Sequence, residues 1–364
     1  MKSIKSLLIF IPSIENGGVE KNLQIIANFL TKKKIEIVIL TAFKNKNFKF
    51  SKNIKFINLD YKYSRYFKKR FFKLLICIYL FILKINFKDF IVLSFQSSIA
   101  SIVLCKIYRK KIIIRLNTSP SKYIKNFFLK KIYKTFYSLA DLIIVNSYEF
   151  KKEFYKLFKI KCKNIYNPFI PYTNKKIKLT FFKKDNLNII NIGRLTEQKD
   201  HLTLLKAIKI LVEKKIKIKA IIIGRGNTER KLKNYIKINN LKKNIMLLGY
   251  KKNAFNYIKL SDVFVLSSIY EGLPNVLLES LYSKKYIIST NCFSGPKEIL
   301  KNGKYGSLFR IKDYKKLSIL LMNFNKNKNN KSIKYKIQCG FKSLNRFDYQ
   351  NNCLKYYNEI NKYI

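Results

Sequence analysis

The sequence predicts an α/β chain of two tandem domains, each an open parallel sheet, with the ligand-bearing sheet edges facing a central cleft. Three observations predict it. Short apolar runs alternate with longer stretches of helical period along the chain, as strand–helix–strand units do. Runs such as Ile221-Ile222-Ile223 are continuously apolar, as strands buried on both faces require. With 364 residues, 48% of them hydrophobic, the chain is long for one core and sufficient for two.

In the first half, strands are expected at 6–11, 36–41, 90–94, 111–115 and 142–146, each followed by a helix-like or loop segment. The character changes between 166 and 186, where Asn167-Pro168, Pro171 and a polar lysine-rich stretch suggest a linker. A second series of strands follows at 187–193, 219–224, 244–248, 263–267 and 286–290. The expected division is therefore a first domain 1–168, a linker 169–186, a second domain 187–342 and a helical tail 343–364. The lysine and asparagine tract 323–331 is expected to be a surface loop. No apolar run has the length of a membrane span, the longest candidate being 74–83.

Composition narrows the classes of function. There are 76 Lys plus Arg against 20 Asp plus Glu, a balance that by itself suggests nucleic acid or an anionic membrane. Only nine of the cations are arginine, the residue that makes bidentate base contacts, and the lysines are spread over the whole chain. Nucleic acid is accordingly not expected as a partner. Six cysteines, at 77, 105, 162, 292, 339 and 353, show no metal-ligand spacing, and the single histidine, His201, cannot complete a zinc site. They read as buried thiols of a reducing compartment, which together with the lack of a spanning segment predicts a cytoplasmic protein, free or peripheral to a membrane.

The segment from Glu271 to Glu279 carries the most chemistry. Leu273-Pro274 disfavours helix before the proline and favours it after, so Pro274 or Asn275 is expected to start a helix, with Glu279 inside it and Glu271 in the preceding loop. A helix mouth seats phosphate, and carboxylates beside it accept hydrogen bonds from sugar hydroxyls. This chemistry suits a sugar nucleotide. Arg194 and Lys199 leave a predicted strand through Gly193 and could clamp a diphosphate, although in so lysine-rich a chain Lys199 could equally be a solvated turn. Gly224-Arg225-Gly226 ends another strand, where backbone can approach a ligand closely. Ser294-Gly295-Pro296-Lys297-Glu298 supplies a third loop, in which Glu298 is also consistent with a plain first-turn acid. In the first half, Gly17-Gly18 joins the first strand to the first helix, either opening that helix to a phosphate or sugar or making a tight turn.

Taken in this order, these motifs resemble the family 4 retaining glycosyltransferases, whose fold is GT-B, two Rossmann-like domains. The resemblance implies that Arg194 and Lys199 hold the donor diphosphate, Glu279 the ribose, and Glu271 the hydroxyls of the transferred sugar. Gly272, Leu273, Pro274, Asn275 and Val276 would supply backbone contacts, with Gly17, Gly18, Gly224 and Arg225 also in the binding site. It further implies a UDP-linked hexose or N-acetylhexosamine as donor substrate and a glycolipid or lipid-linked oligosaccharide as acceptor, with no cofactor. Many members carry a histidine in a first-domain loop that here reads Arg115-Leu116-Asn117-Thr118-Ser119-Pro120. The first domain has no histidine, so Asn117 is the candidate there: it can orient a hydroxyl but cannot titrate. An epimerase of the same fold, or a weakly active or inactive binding member of the family, stays open.

No Asp-x-Asp or carboxylate cluster is present, which predicts metal independence. The segment 61–85, with Lys62, Arg65, Lys68, Lys69, Arg70 and Lys73 ahead of the apolar run, reads either as a peripheral contact with an anionic membrane or as a buried helix with a basic cap.

Overall fold

The computed structural model describes residues 6–15, 17–44, 48–59, 70–84, 89–120, 124, 126–171, 177 and 179–364. The chain forms two compact units, Met1–Pro168 with Phe347–Ile364, and Phe169–Arg346.

The first unit is a seven-stranded sheet in the order β5-β3-β1-β6-β7-β8-β9. Its strands are β1 (Ser6–Phe10), β3 (Glu36–Leu40), β5 (Lys55–Ile57), β6 (Ile91–Ser94), β7 (Ile112–Leu116), β8 (Leu142–Val145) and β9 (Lys163–Asn164), and all its pairings are parallel. A short parallel pair, β2 (Ser13–Ile14) with β4 (Phe43–Lys44), lies beside it. The pleat sends alternate side chains to opposite faces, so Leu7 and Ile9 join one core while Leu8 and Phe10 join another. The first core lies under α1 (Gly18–Lys32); the second is covered by α2 (Arg70–Lys84), α3 (Ser98–Ile107), α4 (Phe127–Ser138) and α5 (Tyr148–Phe158).

The second unit is a six-stranded parallel sheet, β12-β11-β10-β13-β14-β15. Its elements run β10 (Leu187–Ile192), α6 (His201–Glu213), β11 (Ile218–Ile223), α7 (Glu229–Ile238), β12 (Ile245–Leu247), α8 (Phe255–Ile258), β13 (Val263–Leu266), α9 (Asn275–Tyr282), β14 (Tyr286–Thr290), α10 (Pro296–Ile299), β15 (Ser307–Phe309), α11 (Tyr314–Asn327) and α12 (Lys331–Lys342). The order reverses between β10 and β13, and ligands of open α/β sheets bind outside the carboxyl ends of strands at such a point.

Every strand expected from the sequence is present to within a residue or two, and the short edge strands β5, β9 and β15 are additional. The tract 323–331 is not a loop: α11 runs through it to Asn327 and α12 begins at Lys331, because Leu317, Leu321 and Phe324 bury one face at helical spacing. The tail does form a helix, α13 (Tyr349–Asn361), and it returns to the first unit, where Cys353, Tyr356 and Ile360 enter the core beneath α1. Among the described residues no helix is long and apolar enough to cross a membrane.

This docking makes the tail part of the first unit's core. Ile360→Ala is expected to destabilise that unit by about 2–5 kcal/mol. A denaturant melt followed by a probe in the first unit, with an unchanged midpoint, would contradict it.

Candidate functional site

In the second unit the loops at the carboxyl ends of the strands are joined to one another in series. Gly224 N–H donates to Gly249 O at 2.9 Å, Gly193 N–H to Ile223 O at 3.0 Å and Leu195 N–H to Arg225 O at 3.0 Å. Farther along, Ile269 N–H donates to Gln198 O at 2.8 Å, Gln198 Nε2 to Tyr270 O at 3.0 Å and Ser267 Oγ to Lys199 O at 3.0 Å. Ser294 Oγ closes the series with a bond to Glu271 O at 3.0 Å. Glycine is required at several of these seams, Gly224 and Gly295 among them. A Cβ on Gly224 would stand 1.8 Å from Gly193 O, and one on Gly295, where φ is +71°, would stand 1.9 Å from Gly272 O.

On this frame Lys199 Nζ donates to Glu271 Oε1 at 2.5 Å, and the same oxygen accepts from Ser268 Oγ at 2.6 Å. Both side chains are largely buried, Lys199 at 14% and Glu271 at 8% exposure. Lys199 is therefore not a solvated turn. The sequence pointed to Lys199 and Glu271 separately, as diphosphate and sugar ligands; the fold makes them partners. Ser268 was missed, and its only signal was a serine doublet directly after the apolar run of β13.

Arg194 and Arg225 are exposed on adjacent turns, joined through the backbone bond from Leu195 N–H to Arg225 O. Pro274 is extended (φ −72°, ψ 108°) and α9 starts at Asn275, as the proline rule anticipates. Gly272, Leu273 and Pro274 form the loop ahead of it; Asn275 and Val276 are its first turn, and Glu279 lies one turn further in, buried.

The first unit holds the remaining candidates. Gly17 caps α1, and the carboxylate of Glu20, on the first turn of that helix, lies where a Gly17 side chain would be: a Cβ there would meet its Oε2 at 2.3 Å. Beside Gly17 and the exposed Gly18, this helix mouth thus has a carboxylate of its own, which repels phosphate and accepts from hydroxyls. Asn117 follows β7; its Oδ1 accepts from Arg115 and its Nδ2 donates to Phe95 O at 2.7 Å. Its amide is thus engaged within the unit.

His201, at the first position of α6, is 2% exposed and neither ring nitrogen has a hydrogen-bond partner among the described residues. Burial, with a smaller contribution from the Lys199 charge, pushes its pKa down from 6.5 to about 3. Asp200 beside it is moved the opposite way, its carboxyl raised by burial.

Among the described basic and apolar residues of 61–85, Lys73 pairs with Glu15 at 2.8 Å. Lys62, Arg65, Lys68 and Lys69 lie outside the described residues, as does the side chain of Arg70. The helix α2 uses two faces. Cys77, Leu80 and Phe81 are buried, whereas Phe71, Phe72, Leu75, Tyr79, Ile82 and Leu83 are exposed.

Comparison with known proteins bears on these loops. Residues 173–338 match the family described as Glycosyl transferases group 1. An uncharacterized glycosyltransferase of Methanocaldococcus jannaschii is 39% identical over 222 residues, 56% of this chain and 55% of that protein. A Campylobacter jejuni N-acetylgalactosamine-N,N'-diacetylbacillosaminyl-diphospho-undecaprenol 4-alpha-N-acetylgalactosaminyltransferase is 31% identical over 212 residues, 56% of this chain and 57% of that one. The matches thus span about half the length of these curated relatives. The crystal structure of Anabaena HepE in complex with UDP-glucose superposes with a TM-score of 0.75 at 14% identity, over 98% of this chain and 99% of that one. The fold is GT-B, two parallel α/β units in tandem, as the motif order implied.

The neutral, buried His201 gives a pH dependence. The unfolded chain takes up a proton near pH 6.5 that the folded chain resists to about pH 3, so stability falls as pH drops through that window. The loss is at most about 5 kcal/mol. His201→Leu should flatten the fall in denaturation midpoint between neutral and acid pH; an identical slope in wild type and variant would refute it.

Proposed function

We propose that the chain is a retaining glycosyltransferase that moves a hexose or N-acetylhexosamine from a UDP-sugar to a glycolipid or lipid-linked oligosaccharide, in the assembly of an envelope polysaccharide. The observation that carries this reading is the Lys199–Glu271 pair, buried among sheet-edge loops, with the exposed Arg194 on the turn that leads into Lys199. The match to Glycosyl transferases group 1 supports the reaction class over these same loops. The UDP in the HepE complex and the undecaprenol-linked substrate in the name of the Campylobacter relative support the donor and acceptor classes.

In this reading the donor diphosphate takes Lys199 and Arg194 as its cations. The phosphate competes with Glu271 for the Lys199 ammonium, and the carboxylate, still held by Ser268, turns its remaining acceptor capacity to the hydroxyls of the sugar. Glu279 serves the ribose, and the backbone of 272–276 lines the sugar and phosphate. The acceptor hydroxyl attacks on the face from which the diphosphate departs, and the leaving oxygen takes its proton, so no enzymatic base is needed. Catalysis consists of positioning and of stabilising charge on the leaving group by Arg194, Lys199 and the N-terminus of α9. These cations do the work a metal would otherwise do, so turnover is metal-independent. Gly17 and Gly18 belong to the hydroxyl-bearing acceptor rather than to phosphate, given Glu20 beside them, and Asn117 acts by holding its loop. A weakly active family member is the second reading, favoured by the engagement of that amide.

The acceptor would be reached at the inner face of the cytoplasmic membrane. The exposed face of α2 shares its helix layer with Phe127 and Phe128, 80% and 70% exposed, and with the exposed cations Lys131, Lys134, Lys152 and Lys156. Exposed apolar side chains and cations on one helix layer suit an anionic bilayer surface.

Glu271→Gln and Arg194→Ala are each expected to lower transfer by about 10²–10³-fold, with EDTA without effect on the wild type. Radiolabelled transfer from a UDP-sugar panel measures this; wild-type activity in both variants, or abolition by EDTA, counts against the mechanism. In a separate assay the protein should sediment with vesicles containing anionic lipid. Phe71→Ser with Tyr79→Ser should reduce sedimentation and leave UDP binding intact; binding indifferent to lipid charge or to these changes argues against the membrane surface.

A further inference from the structure

Among the described residues, Arg115 heads the fully buried side chains by volume. A guanidinium keeps its charge at any ordinary pH, so its burial must be compensated by the groups around it. Here those groups are neutral. Nε donates to Tyr356 Oη at 2.7 Å, one terminal nitrogen to Asn167 Oδ1 at 2.6 Å and the other to Asn117 Oδ1. The ring of Phe95 lies 5.1 Å from its Cζ, offering a π face to the charge.

The three acceptors belong to three separate segments of the first unit. Asn117 lies in the loop after β7. Asn167 is one residue before Pro168, where the chain leaves the unit, and Tyr356 is on α13, after the chain has come back at Phe347. A buried ion can often be replaced by apolar side chains at little or no loss of stability, so stability alone gives weak grounds for keeping one here. What the guanidinium supplies, and an apolar residue would not, is three directed donors in a rigid plane.

We infer that Arg115 is a positioning residue, a latch that holds the 117–120 loop in register with the segment before Pro168 and with α13, the helix that follows the return at Phe347. A shift of either segment then moves the loop, and a ligand seated on the loop biases both segments. Only the activity arm of this inference rests on the proposed transfer reaction; the latch itself is a property of the first unit.

The test uses the full chain with Tyr356→Phe, which keeps the ring and removes one of the three acceptors, and Arg115→Lys, which keeps charge but not the plane. Backbone amide exchange in 116–119, in 165–167 and in α13 should accelerate together in Tyr356→Phe, by roughly fivefold for one lost hydrogen bond, while β1 and β3 keep their wild-type rates. Acceleration confined to α13 overturns the latch. With UDP-sugar and acceptor, KM for the acceptor should rise by a similar factor while kcat and acceptor-independent donor hydrolysis stay at wild-type values. Arg115→Lys should reproduce this pattern rather than rescue it; wild-type exchange and KM in Arg115→Lys would also overturn the latch. A wild-type protein that turns over no UDP-sugar sinks the functional reading, and the exchange measurement still decides the latch.

Discussion

The candidate site depends on one ion pair, Lys199 to Glu271, between loops 72 positions apart in the chain. That pair depends in turn on backbone register. β10 and β13 are direct neighbours, with Ile189 opposite Val263 and Ile190 opposite Phe264, so the turns that leave them emerge side by side. A slip of one residue would invert the faces of a strand, and both strands are buried, so the register is strongly held. The glycine seams act on the same constraint at closer range. With carbonyl oxygens filling the space a side chain would need at Gly224 and Gly295, the loops have little freedom, and the carboxylate and ammonium meet without a search.

The two units handle a buried cation differently, and the difference follows from what each charge faces. Lys199 is matched by a carboxylate whose second partner is a hydroxyl, an arrangement that an incoming anion can reorganise by competing for the ammonium. Arg115 is matched by two amide oxygens, a phenol and the ring of Phe95, none of which carries a charge to exchange. An arrangement of the first kind responds to ligand, whereas one of the second kind holds geometry. This contrast is why Asn117 is better understood through Arg115 than through a substrate hydroxyl.

The fold was legible because parallel strands buried on both faces leave continuous apolar runs, as at Ile221-Ile222-Ile223, and prolines and glycines mark their ends. What stayed hidden in the sequence was contact between distant segments. Nothing in Tyr349–Asn361 marks it as part of the first unit, since its Cys353, Tyr356 and Ile360 fit any amphipathic helix. The tract 323–331 was misjudged because lysine and asparagine are common throughout the chain, and the leucines and phenylalanine that anchor the helix lie mostly before it. In the candidate site, Arg194 and Lys199 stood out as cations after a strand, Glu271 as a loop carboxylate and Glu279 as a carboxylate in the helix that follows. Their pairing did not, and neither did Ser268, a side chain whose role appears only when the carboxylate it bonds is known.

Charge is where composition misleads most. Twenty acidic side chains can neutralise no more than a fraction of 76 cations, so most lysines must stay hydrated or lie against aromatic faces, as Lys44 does over Phe56 at 3.4 Å. Such a surface attracts any anion from a distance, and attraction of that kind raises encounter rates without selecting among phosphates. Selection requires a cation whose position is fixed and whose water has been removed. Lys199, at 14% exposure against the Glu271 carboxylate, meets both conditions, and Lys73, at 12% exposure against Glu15, meets them in the first unit, so the excess of lysine steers and any discrimination falls to cations held in this way.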